Sequence, residues 1–209
     1  MLLLAFDTAT PAVTVALHDG SGVVAEHAEV DAMRHGELLA PGIASVLEQA
    51  GATRDRLTAV AVGVGPGPFT GLRVGLVTAR TLAMVLDVPV YGVCSLDVLA
   101  AGSEVTGPFT VATDARRKEV YWARYADRLT RVEGPHVAKP ADVQASGPVV
   151  GRGAVLYPDA LPGATPPEYP SAGVLAGLVA HGRAQVLPPE PLYLRRPDVA
   201  APTPRKSVL

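Results

Sequence analysis

Gly63-Val64-Gly65-Pro66-Gly67-Pro68-Phe69-Thr70-Gly71-Leu72-Arg73-Val74-Gly75 follows an apolar run, residues 57–64, and opens a helical pattern that lasts to about residue 86. A glycine-rich turn from strand into helix is where free backbone N–H groups often cradle phosphate. Two details argue against that use. A phosphate-binding P-loop ends in Gly-Lys-Ser/Thr, with the lysine on the phosphates, whereas Leu72-Arg73 follows Gly71 here. Pro66 and Pro68 also remove two of the donors a phosphate would need. The glycine spacing does not match a dinucleotide fingerprint either. The segment reads as the strand–helix junction of an α/β fold, with Thr70 expected to cap the helix.

That helix carries Gly71, Gly75, Ala79 and Ala83 four residues apart. Small residues at this spacing form one ridge that lets another backbone come close. A glycine inside a helix costs about 1 kcal/mol against alanine, so two on one ridge call for a packing reason. The ridge can pack on the chain's own sheet or against a helix of another subunit. Leu72, Leu76, Leu82 and Leu86, with Val74 and Val85, supply a second apolar face. Two apolar faces exceed what one sheet covers, which favours a second subunit.

Outward from the junction, residues 2–6 read as a buried strand that ends in the turn cluster Asp7-Thr8-Ala9-Thr10-Pro11. Strands follow at 13–17 and 23–30, joined by Asp19-Gly20 hairpin chemistry, giving an antiparallel meander. Asp31 is expected to cap a helix reaching about residue 50, with Leu38, Leu39, Ile43, Val46 and Leu47 on one face and a kink at Pro41. Residues 89–93 read as a strand, after which Ser95 is expected to cap a short helix to about residue 101. The second half restarts the pattern. A strand at 109–113, the turn Asp114-Ala115-Arg116-Arg117 and a strand at 119–125 repeat strand, Asp, polar turn, strand. Two copies about 107 residues apart suggest a duplicated domain. Beyond Gly134 the pattern supports a strand at 149–150, a helix at 171–184 and a last strand at 192–194. The expected architecture is a two-lobed α/β fold with mixed sheets and helices on both faces. Its lobes are 1–103 and 104–189, with 190–209 packing back on the first.

Bulk composition narrows the function classes. The 209 residues carry 18 basic and 20 acidic side chains, a net charge of −2. An autonomous nucleic-acid binder usually holds a basic surplus, so any service to RNA is expected to be indirect. Arg195, Arg196, Arg205 and Lys206 read as a solvated tail. The single cysteine, Cys94, excludes an internal disulfide framework and a cysteine-rich metal site. The N-terminal apolar run lacks a basic flank and reaches Asp7 within six residues, too short for a signal peptide or membrane span. A cytosolic protein without membrane attachment is expected.

Asp7-Thr8-Ala9-Thr10 after the first strand resembles the first phosphate-loop element of the actin, sugar-kinase and heat-shock-chaperone superfamily, whose lobes are ribonuclease H-like. The run Gly65–Gly75 resembles the signature of the TsaB (YeaZ) family of tRNA threonylcarbamoyladenosine biosynthesis proteins. Asp114-Ala115-Arg116, Glu119-Val120-Tyr121-Trp122-Ala123 and Pro191-Leu192-Tyr193-Leu194-Arg195 agree in order and spacing. The resemblance implies two actin-like lobes and a non-catalytic subunit that pairs through its first two helices with the catalytic paralogue TsaD. It also implies a complex with the ATPase TsaE, in which ATP and Mg serve the complex while tRNA is reached indirectly. On that view the partner interface comprises Leu38, Leu39, Ile43, Thr70, Gly71, Arg73, Gly75, Ala79 and Ala83. Asp7, Thr8 and Thr10 form the phosphate-loop-like element. The same surface is expected to pair two copies of this chain when the paralogue is missing. The paralogue holds its metal with two histidines four apart on the first helix. Here His35 is followed by Leu39 at that spacing, so no metal site, cofactor or catalytic residue is assigned, and His35 is expected at the surface or in a cap. The alternative is a small phosphotransferase using Asp7 or Asp114 as its metal-linked acid. A peptidase lacks a metal pair and an evident base for Cys94 or Ser95.

Overall fold

The computed structural model describes residues 1–195; Arg196 and the remaining tail lie outside the described residues. Five strands form the first sheet: β1 (Leu3–Asp7), β2 (Ala12–His18), β3 (Val23–Val30), β4 (Ala59–Gly63) and β5 (Val90–Val93), in the order β3-β2-β1-β4-β5. β1–β3 are the antiparallel meander, while β4 and β5 run parallel to β1. β6 (Phe109–Asp114), β7 (Val120–Asp127), β8 (Thr130–Ala138), β9 (Val149–Val150) and β10 (Ala164–Thr165) form a second sheet, ordered β10-β9-β6-β7-β8. Read from β8, that is the same order with the same sense at every pairing: two antiparallel, then two parallel. The duplication therefore extends to whole sheets. β8 is a strand the sequence pattern misses, because Gly134-Pro135 interrupts it. Residues 192–194 form no strand.

β1 and β4 are buried on both faces, as parallel strands covered by helices must be. Leu4, Phe6, Val60 and Val62 pack under α1 (His35–Gln49) and α2 (Phe69–Leu86). Leu3, Ala5, Ala59 and Ala61 pack on the other face, under α3 (Ser95–Gly102) and α5 (Ala172–Ala180). Each fully buried Leu, Val or Phe contributes about 1.5–3 kcal/mol. α4 (Arg152–Leu156) covers part of the second sheet, where Ala154 joins Ala112, Val120 and Trp122.

α5 moves the lobe boundary. The sequence reading ends the second lobe at residue 189, but Leu175, Ala176 and Leu178 are buried against the first sheet. α5 has almost no polar side to present to water, so it fills the uncovered face of that sheet. Ser171 caps it, its hydroxyl accepting from Val174 N at 3.2 Å.

The three expected caps, Asp31, Thr70 and Ser95, are not the ones found. α1 starts at His35 rather than beside Asp31, and Arg34 occupies its N-cap position. Asp31 instead accepts from Met33 N at 2.8 Å, a local turn that competes with the helix. Pro41 lies inside α1. Pro68 is the N-cap residue of α2, with Thr70 already inside the helix. Cys94 is the N-cap residue of α3, which frees the Ser95 hydroxyl for another partner. α2 is long and apolar enough to cross a membrane by length and composition. One of its faces, Gly71, Leu72, Gly75, Leu76 and Ala79, is buried on the first lobe.

Candidate functional site

β1, β4 and β5 end side by side, with Phe6 paired to Val62 and Gly63 to Val93. Asp7 therefore finishes β1 on one side of Gly63, and Ser95, following β5, begins α3 on the other. The Asp7 carboxylate reaches across Gly63, and its Oδ2 accepts from Ser95 Oγ at 2.5 Å. Its Oδ1 accepts from Ala9 N at 2.8 Å. A Cβ on Gly63 would stand 1.8 Å from Asp7 Oδ2 and 2.9 Å from Ser95 Oγ. Only glycine permits this bridge. Ser95 Oγ also accepts from Gly65 N at 3.2 Å, and Ser95 N donates to Gly65 O at 2.8 Å. Burial pushes the Asp7 carboxyl above its ordinary range, while the bonds from Ser95 and Ala9 pull the other way.

The glycine-rich segment then closes over the phosphate-loop-like turn. A Cβ on Gly67 would meet Ala9 O at 2.1 Å, on Gly71 Thr8 O at 2.3 Å, and on Gly75 Thr8 Oγ1 at 2.4 Å. Thr8 Oγ1 donates to Gly71 O at 2.8 Å. From the other side, His35 Nε2 donates to Thr10 O at 2.7 Å. His35 is thus buried and holds this turn to the start of α1, which corrects its expected place at the surface or in a cap. Asp7, Thr8 and Thr10 are all buried. A phosphate loop needs free N–H groups and open space in front of them. Here the Ala9 N–H is held by Asp7, and the space is filled by the chain's own loop.

The same contacts correct the reading of the small-residue ridge. Gly71, Gly75 and Ala79 face Thr8 and the first sheet, so the ridge packs on its own lobe. Close approach was the right inference from the spacing, but the backbone approached is the turn after β1. Leu38 and Leu39 are core residues as well, at 7% and 1% exposure. Ile43 and Ala83 are half-buried, and only Thr70 and Arg73 of the expected interface set are exposed. The surface that α2 does present is a different one. Val77, Met84 and Val85 are 63%, 77% and 71% exposed, on the same side of the helix as the exposed Arg73 and Arg80. Residues 73, 77, 80 and 84 keep helical spacing, so this face was readable in the sequence once the ridge was assigned inward.

In the second lobe, the Asp114 turn is built otherwise. Asp114 Oδ1 accepts from Arg116 N at 2.8 Å, and the Arg116 guanidinium lies 3.6 Å from Oδ2. Arg116, Arg117 and Lys118 all take left-handed backbone angles, φ 60°, 55° and 61°. Each costs roughly 1–2 kcal/mol relative to ordinary backbone. The C-terminal segment ties this turn to the first lobe. Leu192 N donates to Val64 O at 2.9 Å, and the Tyr193 ring lies 4.6 Å from Phe69. Arg195 donates to Ala115 O at 3.0 Å and pairs with Glu119.

The family model described as TsaD, tRNA N6-adenosine threonylcarbamoyltransferase, matches residues 11–160. The tRNA threonylcarbamoyladenosine biosynthesis protein TsaB of Escherichia coli is 35% identical over 173 residues, covering 76% of this chain and 74% of that protein. The chain belongs to the TsaB family. An uncharacterised Mycobacterium tuberculosis protein is 46% identical over 201 residues, covering 94% of this chain and 92% of that one. The structure of YeaZ from Pseudomonas aeruginosa superposes with a TM-score of 0.78 at 30% identity, over 92% of this chain and 99% of that one. YeaZ and TsaB are two names for one family, and its two-lobed actin-like fold is the one described above.

Proposed function

We propose that this TsaB-family chain is a non-catalytic subunit of the machinery that transfers threonylcarbamoyl to N6 of adenosine 37 in tRNAs reading codons that start with A. In this reading it works in the cytosol, binding and activating the catalytic paralogue TsaD together with the ATPase TsaE. ATP and Mg serve those partners, and tRNA is reached through the complex. The observation that carries the reading is the filled turn after β1. Both Asp7 carboxylate oxygens are occupied within the chain, and Gly67, Gly71 and Gly75 lie where a phosphate would have to enter. A lobe built this way keeps the shape of a phosphotransferase while closing its phosphate-binding turn.

The α1–α2 side supplies the docking surface. Val77, Met84 and Val85 form an exposed apolar stripe on a helix whose opposite face is core, and such stripes mark protein contacts. Arg73 precedes the stripe and Arg80 falls between Val77 and Met84, adding positive charge to it. The same stripe would pair two copies of this chain when the paralogue is missing.

Reconstitution tests the proposal. Transfer to tRNA by TsaD and TsaE is expected to collapse when this chain is omitted and to return when it is added back. Full transfer without it overturns the reading. Met84→Glu is expected to stop copurification with TsaD while leaving the circular dichroism spectrum unchanged, since Met84 packs on nothing in the chain's own core.

A further inference from the structure

The two lobes also meet where β7 ends and α5 ends. A cavity of about 340 Å³ opens there, with Asp97, Tyr125, Arg131 and Gln185 on its polar side. A second cavity of about 380 Å³ adjoins it, lined by Ala101, Val174 and Gly177. Arg128, Leu129, Leu178 and Arg183 line both. Tyr125 pairs with Phe109 at one end of the β6–β7 ladder, and Asp114 pairs with Val120 at the other. Five register steps separate them, about 17 Å at ~3.3 Å per residue. This cleft is therefore distinct from the Asp114 turn of the second lobe, while Val93 and Asp97 place it beside the Ser95 end of the first lobe's closed turn.

Three guanidinium groups face the cleft, with one carboxylate among its lining residues. Asp97 answers only one of them. Its carboxylate accepts from Tyr125 OH at 2.7 Å and lies 3.5 Å from Arg131 Nε, and Arg131 also donates to Gln185 Oε1 at 3.0 Å. Arg128 donates through Nε and Nη2 to the carbonyl of Ala101, a neutral acceptor that positions the group and leaves its charge uncompensated. The Arg183 guanidinium makes no hydrogen bond or ion pair among the described residues, only its backbone N–H donating to Leu178 O at 2.8 Å, and the residue is exposed at the mouth. Two uncompensated guanidinium groups thus converge on one cleft in a chain whose net charge is −2. Like charges held together repel, and an anion between them removes that repulsion.

We propose that this interlobe cleft binds a small phosphate ester, with its phosphoryl group on Arg128 and Arg183 and an apolar or flat body in the adjoining cavity. A phosphate monoester carries close to two negative charges near pH 7, matching two guanidinium forks. Ala101, Leu129, Val174 and Leu178 give the body an apolar bed of the size small ligands use. Arg131, already paired with Asp97, stands behind the pair as a positioning group.

Titration of the full chain with AMP, adenosine and inorganic phosphate, followed by calorimetry and phosphorus NMR, tests this. AMP is expected to saturate, adenosine to bind far more weakly, and inorganic phosphate to fall between them. Arg183→Glu is expected to weaken AMP and phosphate alike by roughly tenfold or more, with an unchanged melting temperature because its side chain has no partner to lose. Gly177 has open space where a Cβ would stand. Gly177→Leu therefore sends a side chain into the adjoining cavity from a Cβ that meets nothing, and is expected to weaken AMP while sparing inorganic phosphate. No saturation by AMP or phosphate up to about 10 mM, which is weaker than about 3 kcal/mol of binding, overturns the proposal. Binding unchanged in Arg183→Glu does so too, as does binding of an RNA oligonucleotide without any of AMP.

Discussion

Asp7 and Asp114 stand at equivalent points of two sheets with the same strand order, each ending a central strand before a turn. Around Asp7 the chain has closed the turn. Ser95 and the Ala9 N–H occupy the carboxylate, and three glycines of the following loop press against Thr8 and Ala9. Around Asp114 the turn stays at the surface, with Arg116, Arg117 and Lys118 in strained left-handed backbone and Arg195 reaching in from the C-terminal segment. One topology thus serves two ends. The first turn is a packing joint between β1, α1, α2 and α3. The second is a charged surface loop. A strand–Asp–turn signature therefore says where a phosphate site is possible. The neighbouring residues say whether it is still open.

Breaking the closed turn is expected to have the largest effect. Gly63→Ala drives a methyl group into a buried carboxylate and is expected to cost about 3 kcal/mol or more, read from urea or thermal unfolding. Asp7→Ala leaves the Ser95 hydroxyl proton and the Ala9 N–H without acceptors in the interior, at about 2–3 kcal/mol. Its counterpart Asp114→Ala loses one turn bond and a partly exposed ion pair, so about 0.5–1 kcal/mol is expected. If the two aspartate variants cost the same, the contrast between the lobes fails.

A pH series sharpens the comparison. The folded-state pKa of Asp7 is raised above its unfolded value of 3.8, so the native state holds that proton more tightly. Its contribution is fully present below the unfolded value and is lost as pH rises through the folded one. Unfolding free energies of wild type and Asp7→Asn, measured in parallel from about pH 4 upward, are expected to shift steadily against the wild type. The smallest effect belongs to the open turn. Lys118→Gly relieves a left-handed position, φ 61°, and is expected to stabilise the chain by up to about 1 kcal/mol, offset in part by glycine's greater freedom when unfolded.

Much of this contrast is written in local sequence, and part of it is not. The meander, the strand–Asp–turn repeat and the strand–helix junction at Gly63 follow from alternation, turn residues and helical spacing, because each depends on near neighbours. The four-residue spacing of Gly71, Gly75 and Ala79 announced close approach. It does not name the partner, since a neighbouring helix and the chain's own turn demand the same small side chains. The Ser95–Asp7 bond joins residues 88 positions apart. Only the order β1-β4-β5 brings them together across Gly63, so no local pattern reveals it. α5 was legible as a helix, but its return to the first sheet depends on which face that sheet left uncovered.

The first lobe's phosphate-loop-like turn is closed by the chain's own residues. Titration of MgATP into the isolated chain tests it most directly, comparing wild type with Asp7→Asn and Arg183→Glu. Any saturable binding is expected to be unchanged in Asp7→Asn and lost in Arg183→Glu. Tight MgATP binding abolished by Asp7→Asn in a chain that still melts cooperatively would contradict it.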